Sequence, residues 1–264
     1  MNYPQTYIHP KAKIAANVQI DPFTVIHKNV EIGEGTWVGS NVTIMGGARI
    51  GKNCRIFPGA VLSAIPQDLK FHGEDTTAEI GDNTTIREFV TIHRGTEDRW
   101  KTEVGSNCLI MAYSHVAHDC MVGDNCILSN NSQLGGHVFL GEWAIIAGMA
   151  AVQQFSRIGA HAYIGGGCLV NKDVPPYIKV VRMPIIYGGV NSVGLKRRGF
   201  TLAQINKIMD VYRIIYNDGW NITQALEQIE KNLPHGKERD EIVKFVRESK
   251  IGIVKGNRKD IAEE

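Results

Sequence analysis

Aliphatic residues recur every six positions through most of the chain. They stand at Ile8, Ile14, Ile20, Ile26, Ile32, Val38, Ile44, Ile50, Ile56 and Leu62, return at Ile80, Ile86 and Ile92, and run on from Val104 through Val116 and Leu134 to Val170. Four residues after nearly every one, the side chain is small or β-branched, as at Ala12, Val30, Ala60, Ser114, Ser132 and Ala150. A helix would repeat near 3.6 residues and a strand at two, so neither explains a period of six. One short strand and one sharp corner do. Three such units close a triangular coil of eighteen residues, and stacked coils pair their backbones about 4.8 Å apart. The aliphatic positions fill the prism, and Gly or Asn suits the corners. Each coil buries its inner face only against its neighbours, which makes a solenoid.

The frame breaks at 63–79 and at 94–103 and resumes in register both times, which predicts two loops thrown out of an intact helix. After Val170 the hexads fade, and a connector runs to about Val190. Leu202, Ile205, Ile208, Met209, Tyr212 and Ile215 then recur at helical spacing behind a Thr201–Gln204 capping box, with Gly219 able to end the helix. Further helices are expected over Asn221–Asn232 and Arg239–Lys250. The predicted organisation is a β-helix over 1–189, with an α-helical domain over 190–264 that also caps the solenoid.

All five cysteines, Cys54, Cys108, Cys120, Cys126 and Cys168, fall in the small-residue register, so they read as buried space-fillers. A net charge of +2 gives no basic stripe of the kind nucleic acid requires. No apolar run reaches eighteen residues and Met1–Gln5 lacks a signal-peptide form, so a cytoplasmic protein without a membrane span is expected.

A packed prism has no internal pocket, so chemistry belongs on its outside. His118 and Asp119 follow core Val116 on an outward corner, and one coil of eighteen residues places Gly136 above His118 and His137 above Asp119. A base, a carboxylate and a backbone N–H open to close approach then share one stripe. His115 adds a further imidazole; three histidines could instead hold a metal across an interface, as in β-helical carbonic anhydrases. Lys70, in Gln67-Asp68-Leu69-Lys70, could meet a phosphate from its loop. The basic run Lys196-Arg197-Arg198 suits an acidic carrier protein.

The hexads resemble the hexapeptide-repeat family of left-handed parallel β-helices. The left hand comes from that resemblance, since parallel crossovers in general favour the right hand. Across essentially the whole length the chain is similar to the acyl-[acyl-carrier-protein]–UDP-N-acetylglucosamine O-acyltransferases, which open lipid A synthesis. The likeness rests on Gln67-Asp68-Leu69-Lys70, His93-Arg94-Gly95-Thr96, His118-Asp119-Cys120, Gly136-His137-Val138, Asp173-Val174-Pro175-Pro176-Tyr177 and Gly194-Leu195-Lys196-Arg197-Arg198-Gly199-Phe200.

The resemblance implies a homotrimer with sites in grooves between subunits and direct transfer without metal or cofactor, the donor being the phosphopantetheine thioester of acyl carrier protein. It makes His118 the base, Asp119 its support and Gly136 N–H the oxyanion donor. Gln67, Lys70, His93, His115, His137, Gln154 and Asn191 become substrate contacts. Arg197 and Arg198 hold phosphopantetheine or carrier, and Gly166 leaves room for a longer acyl chain. Gln153 stands where the family often has His, and Val193 where it often has Glu. An N-acyltransferase of the same pathway would carry a separate domain before its hexads, whereas here they begin at Ile8. An acetyl-CoA-dependent sugar acetyltransferase fits the helical segment poorly, and a non-catalytic scaffold is the remaining alternative.

Overall fold

A computed structural model describes residues 5–256; the outer ends of both expected domains, and the Met1–Pro4 part of the N-terminal segment, lie outside these. The hexads form short strands that alternate around three parallel sheets. The first face runs from Tyr7–Ile8 to Leu169–Val170, the second from Lys13–Ile14 to Arg157–Ile158, and the third from Gln19–Ile20 to Ile178–Val181. Register is strict: Ile8 pairs with Ile26, Val116 with Leu134 and Leu134 with Val152. The aliphatic column is therefore continuous, and Ile26, Ile44, Leu62, Ile92, Leu128 and Leu134 are fully buried. Each such side chain contributes roughly 1.5–3 kcal/mol against exposure.

Most corners put a residue in the left-handed region, where L side chains clash with their own backbone. At the edge between the second and third faces this is solved by Asn17, Asn53, Asn83, Asn107 and Asn125, with φ of 53–59°. The edge between the third and first faces uses bulkier groups, including Phe23, Phe89, Tyr113 and Met149, all exposed. The edge between the first and second faces, hereafter the loop edge, carries both excursions.

The strands beside them extend further than the hexad frame indicates, to Val61–Ala64, Thr77–Ile80, Thr91–His93 and Lys101–Val104. The loops are therefore narrower than 63–79 and 94–103. Ser63 stays inside because its hydroxyl donates to Gly46 O at 2.9 Å.

The connector is not irregular. Ile178–Val181 adds to the third face and then pairs antiparallel with Ile186–Val190. The hexad count misses this because Val180 pairs with Ile164 sixteen residues earlier, two short of a coil. Four helices follow: α1 (Ser192–Arg197), α2 (Leu202–Tyr216), α3 (Ile222–Asn232) and α4 (Lys237–Arg247). Thr201 and Asn221 each close a capping box, with Gln204 and Gln224. α2 ends at Asn217 before reaching Gly219, and α4 begins and ends earlier than its spacing suggests. The short α1 has no hydrophobic period to announce it.

The helices seat on the last coil. Tyr212 Oη donates to Pro176 O at 2.5 Å, Tyr177 donates to Glu241, and Asp173 accepts from Arg157 N and Ser249 Oγ at 2.8 and 2.7 Å. One hydrophobic cluster runs from Val18 to Val254 through both parts.

Burial lowers two histidines to a pKa of about 4, His93 beneath the loop edge and His161 stacked on Tyr177; neighbouring imidazoles add to the effect at His93 and Arg198 at His161. Both accept a proton less readily folded than unfolded, so their contribution is complete above the unfolded value near 6.5 and is lost as pH falls toward 4. The melting temperature should therefore drop across that window, and less steeply in a His161→Phe variant. An unchanged slope would remove His161 from this account.

Candidate active site on the loop edge

Three successive coils of the loop edge put Asp119, His137 and Phe155 in the left-handed region, at φ of 59°, 60° and 64°. Earlier coils of the same edge use Asn29 and Gly47 there. Non-glycine residues held in this conformation concentrate at functional sites. The geometry around them is built from both excursions.

Asp119 is fully buried. Its Oδ1 accepts from the N–H groups of Thr96 and Arg99 at 3.0 and 3.3 Å, and Oδ2 accepts from Thr96 Oγ1 and His118 Nδ1 at 2.7 and 2.8 Å. Burial alone would raise its pKa. The bonds from His118 and Thr96 outweigh that and hold it at about 2, so the carboxylate is ionised throughout the neutral range. Loop 94–100 is thus a clamp around one anion. Because a carboxylate only accepts, His118 Nδ1 carries the hydrogen, and in the neutral ring Nε2 offers its lone pair.

Nε2 faces Gly136. A Cβ there would lie 2.7 Å from both Nε2 and Cε1 of His118, so only glycine leaves space for the ring. The Gly136 N–H donates to no group among the described residues. From the other excursion Asp68 Oδ2 comes within 4.0 Å of Nε2. A proton acceptor, its fixed counter-charge and a free backbone donor therefore meet at one point, which is equipment for taking a proton from a hydroxyl and receiving negative charge on a carbonyl oxygen.

The remaining candidates divide by place. His137 lies 5.1 Å from His118 between ring centres, with Nδ1 3.1 Å from Asp98 Oδ2. His115 bonds Thr91 Oγ1 at 2.7 Å, and burial and the adjacent His118 lower its pKa. His93 is 4% exposed and packs edge-on against His115 at 4.7 Å, so it lies under the site. Gln67 and Lys70 are exposed on loop 65–76, and Gln154 is exposed one coil beyond Gly136.

Gly166 sits on a different edge, above Gly148. Asn191 is buried and caps α1: its Oδ1 accepts from Gly194 N at 3.3 Å and its Nδ2 donates to His161 O at 3.0 Å. The basic run ends α1: Lys196 and Arg197 are exposed, while Arg198 turns inward, 5.2 Å over Trp143 and 3.3 Å from His161 Nδ1. Within one chain, no hydrogen bond, ion pair or ring contact among the described residues joins Gly166, Asn191 or Arg197 to His118. Thr96, Asp68 and Asp98 carry roles that sequence periodicity cannot assign, since their loops have no period.

Ligand atoms of His118, Asp119 and His137 lie within 4.8 Å of one another. Four donors already occupy the Asp119 oxygens, however, which suits a hydrogen-bonded anion better than a metal ligand. Cys120 is no nucleophile here: burial pushes its thiol to about 12, and it donates to Gly135 O at 3.1 Å. No helix among the described residues is long and apolar enough to cross a membrane.

The chain is similar to known proteins in both sequence and fold. A profile for six bacterial transferase hexapeptide repeats matches residues 29–64 and 101–136, and one for domain 2 of UDP-N-acetylglucosamine O-acyltransferase matches 173–254. The acyl-[acyl-carrier-protein]–UDP-N-acetylglucosamine O-acyltransferase of Thiobacillus denitrificans is 43% identical over 254 residues, covering 96% of this chain and 98% of its own. That of Pseudomonas aeruginosa is 47% identical over 227 residues, 86% of this chain and 88% of the other.

Among solved structures, LpxA of Bacteroides fragilis, a UDP-N-acetylglucosamine acyltransferase, superposes with a TM-score of 0.95 at 48% identity, over 97% of this chain and 100% of that one. LpxA of Acinetobacter baumannii gives 0.93 at 39%, over 96% and 99%. The left-handed parallel β-helix with a helical C-terminal part is shared with these neighbours. By fold, by sequence over nearly its full length, and by a profile specific to this enzyme, the chain belongs to the acyl-[acyl-carrier-protein]–UDP-N-acetylglucosamine O-acyltransferases.

Proposed function

We propose that the chain transfers a 3-hydroxyacyl group from acyl carrier protein to the 3-hydroxyl of UDP-N-acetylglucosamine, the first step of lipid A synthesis. The names of its relatives support the substrates. The observation that carries the mechanism is a single one: His118 Nδ1 is tied to an ionised, buried Asp119, leaving Nε2 open beside the unengaged Gly136 N–H. Nε2 takes the hydroxyl proton as the sugar oxygen attacks the thioester carbon. Charge on the carbonyl oxygen is received by Gly136 N–H. The C–S bond then breaks, and the carrier thiolate recovers the proton from His118. Attack is direct in this reading, and none of these steps requires a metal or cofactor.

The acting form is a homotrimer in this reading. Outward positions of the first face, such as Tyr7, Val25, Val61, Ala151 and Leu169, include no Asp, Glu, Lys or Arg, whereas the second face shows Lys13, Glu31, Arg49, Glu79, Lys101 and Arg157. Loop-tip Leu69 is fully exposed on one border of the first face, and Phe89, Tyr113 and Met149 are exposed on the other. A head-to-tail ring about an axis beside that face covers both borders. It also brings Gly166 of a neighbouring copy toward the loop edge, which one chain alone cannot do.

Thiol release from 3-hydroxyacyl carrier proteins of several lengths, with and without the sugar nucleotide, tests the reaction on protein whose solution mass is checked against three times 29.2 kDa. Release that depends on the sugar nucleotide, with product acylated on the 3-oxygen, is the expected result. No release at any length would overturn the reading.

A further inference from the structure

His137 has a second carboxylate partner that the transfer just described does not use. Its Nδ1 lies 3.1 Å from Asp98 Oδ2, while its Nε2 points at Asp119 Oδ2 from 3.8 Å. That Asp119 oxygen is the one that accepts from His118 Nδ1 at 2.8 Å. We infer that Asp98 is a positioning residue that holds the His137 ring off Asp119, so that the carboxylate stays with His118; the inference rests on the reading of His118 as base.

The ring is pinned in two directions. Asp98 holds its edge, and Phe155 from the next coil stacks on its face at 4.4 Å and 12°. Asp98 can only accept, so the contact is attractive when Nδ1 carries a hydrogen. At 3.8 Å the Nε2 side is beyond hydrogen-bond reach of Asp119. Freed from Asp98, the imidazole can turn and set an N–H on Oδ2, the one oxygen that orients the base. Two imidazoles at right angles, 5.1 Å apart, would then compete for it.

Asp98 is itself placed by the clamp: its N–H donates to Thr96 Oγ1 at 3.3 Å, the same hydroxyl that bonds Asp119. The charged groups facing His137 are thus Asp98 and Asp119, with His118 beside them. Because the Asp98 side chain is 65% exposed, the pair stabilises the fold little, and orientation is its main effect.

Steady-state kinetics on Asp98→Ala, Asp98→Asn, His137→Phe and the double variant Asp98→Ala/His137→Phe test this. Asp98→Ala should lower kcat about tenfold while KM for both substrates stays within about twofold. Asp98→Asn keeps a carbonyl acceptor for Nδ1–H and should remain within about threefold of the unaltered enzyme. In the His137→Phe background, the Asp98→Ala change should have no further effect, since its competitor is gone. An Asp98→Ala enzyme with normal kcat, or a full tenfold loss repeated in the His137→Phe background, would overturn the inference. Equally impaired Asn and Ala variants would do the same. Failure of the unaltered protein to release thiol refutes the transfer reading instead, so the two failures are distinguishable.

Discussion

Replacing His118 with alanine is expected to reduce turnover at least about 100-fold, the lower part of the range for losing a positioned base. Folding should be preserved. The His118 side chain is 12% exposed and lies outside the aliphatic column, so its removal opens no core cavity. KM should change much less than kcat, because the imidazole acts on the proton that moves in the transition state. Asp119→Ala should be milder in turnover, since the base remains. It should cost more in stability, because three loop donors from Thr96 and Arg99 lose their only carboxylate. Near-normal turnover by a folded, assembled His118→Ala protein would remove the base assignment.

The second large effect comes from one methyl group. Gly136→Ala places a Cβ where His118 Nε2 and Cε1 now are, at 2.7 Å. Gly136 does not have a positive φ, so alanine is not strained by its own backbone. The imidazole must move instead, and its bond to Asp119 opposes the movement. Displacement of a reacting group by about 1 Å can cost on the order of 100-fold in rate. The expected variant folds, melts close to the parent and turns over about 100-fold slower. A Gly136→Ala enzyme with full activity would mean that the ring acts from another position.

Much of this arrangement could be read before the structure. The hexads locate each coil up to Val170, and the eighteen-residue step alone sets Gly136 over His118 and His137 over Asp119. Legibility fails where the period does. Val180 stacks on Ile164 out of count, so the hairpin after Val170 is hidden. Thr96, Asp68 and Asp98 reach the site from loops whose paths depend on tertiary hydrogen bonds. The intrachain partners of Asn191 and Arg198 are also hidden: Asn191 caps α1, and Arg198, in the same basic run as Arg197, is half-buried against Trp143. Gly136 was legible as a backbone donor, but its role as the space that receives the base needed coordinates.

The joint between the last coil and the helices gives the prism a polarity. At that end Tyr212, Asp173 and α4 are locked onto the terminal coil, whereas at the other end Ile8 and Ile14 are only partly buried. In a stack held by nearest-neighbour contacts, opening begins where a coil has the fewest partners. Fraying should thus advance from the first coils, through a run of paired backbones, before it reaches the turn of Asp119. The reacting groups lie deep enough in the stack that thermal breathing at the N-terminal end leaves their spacing intact.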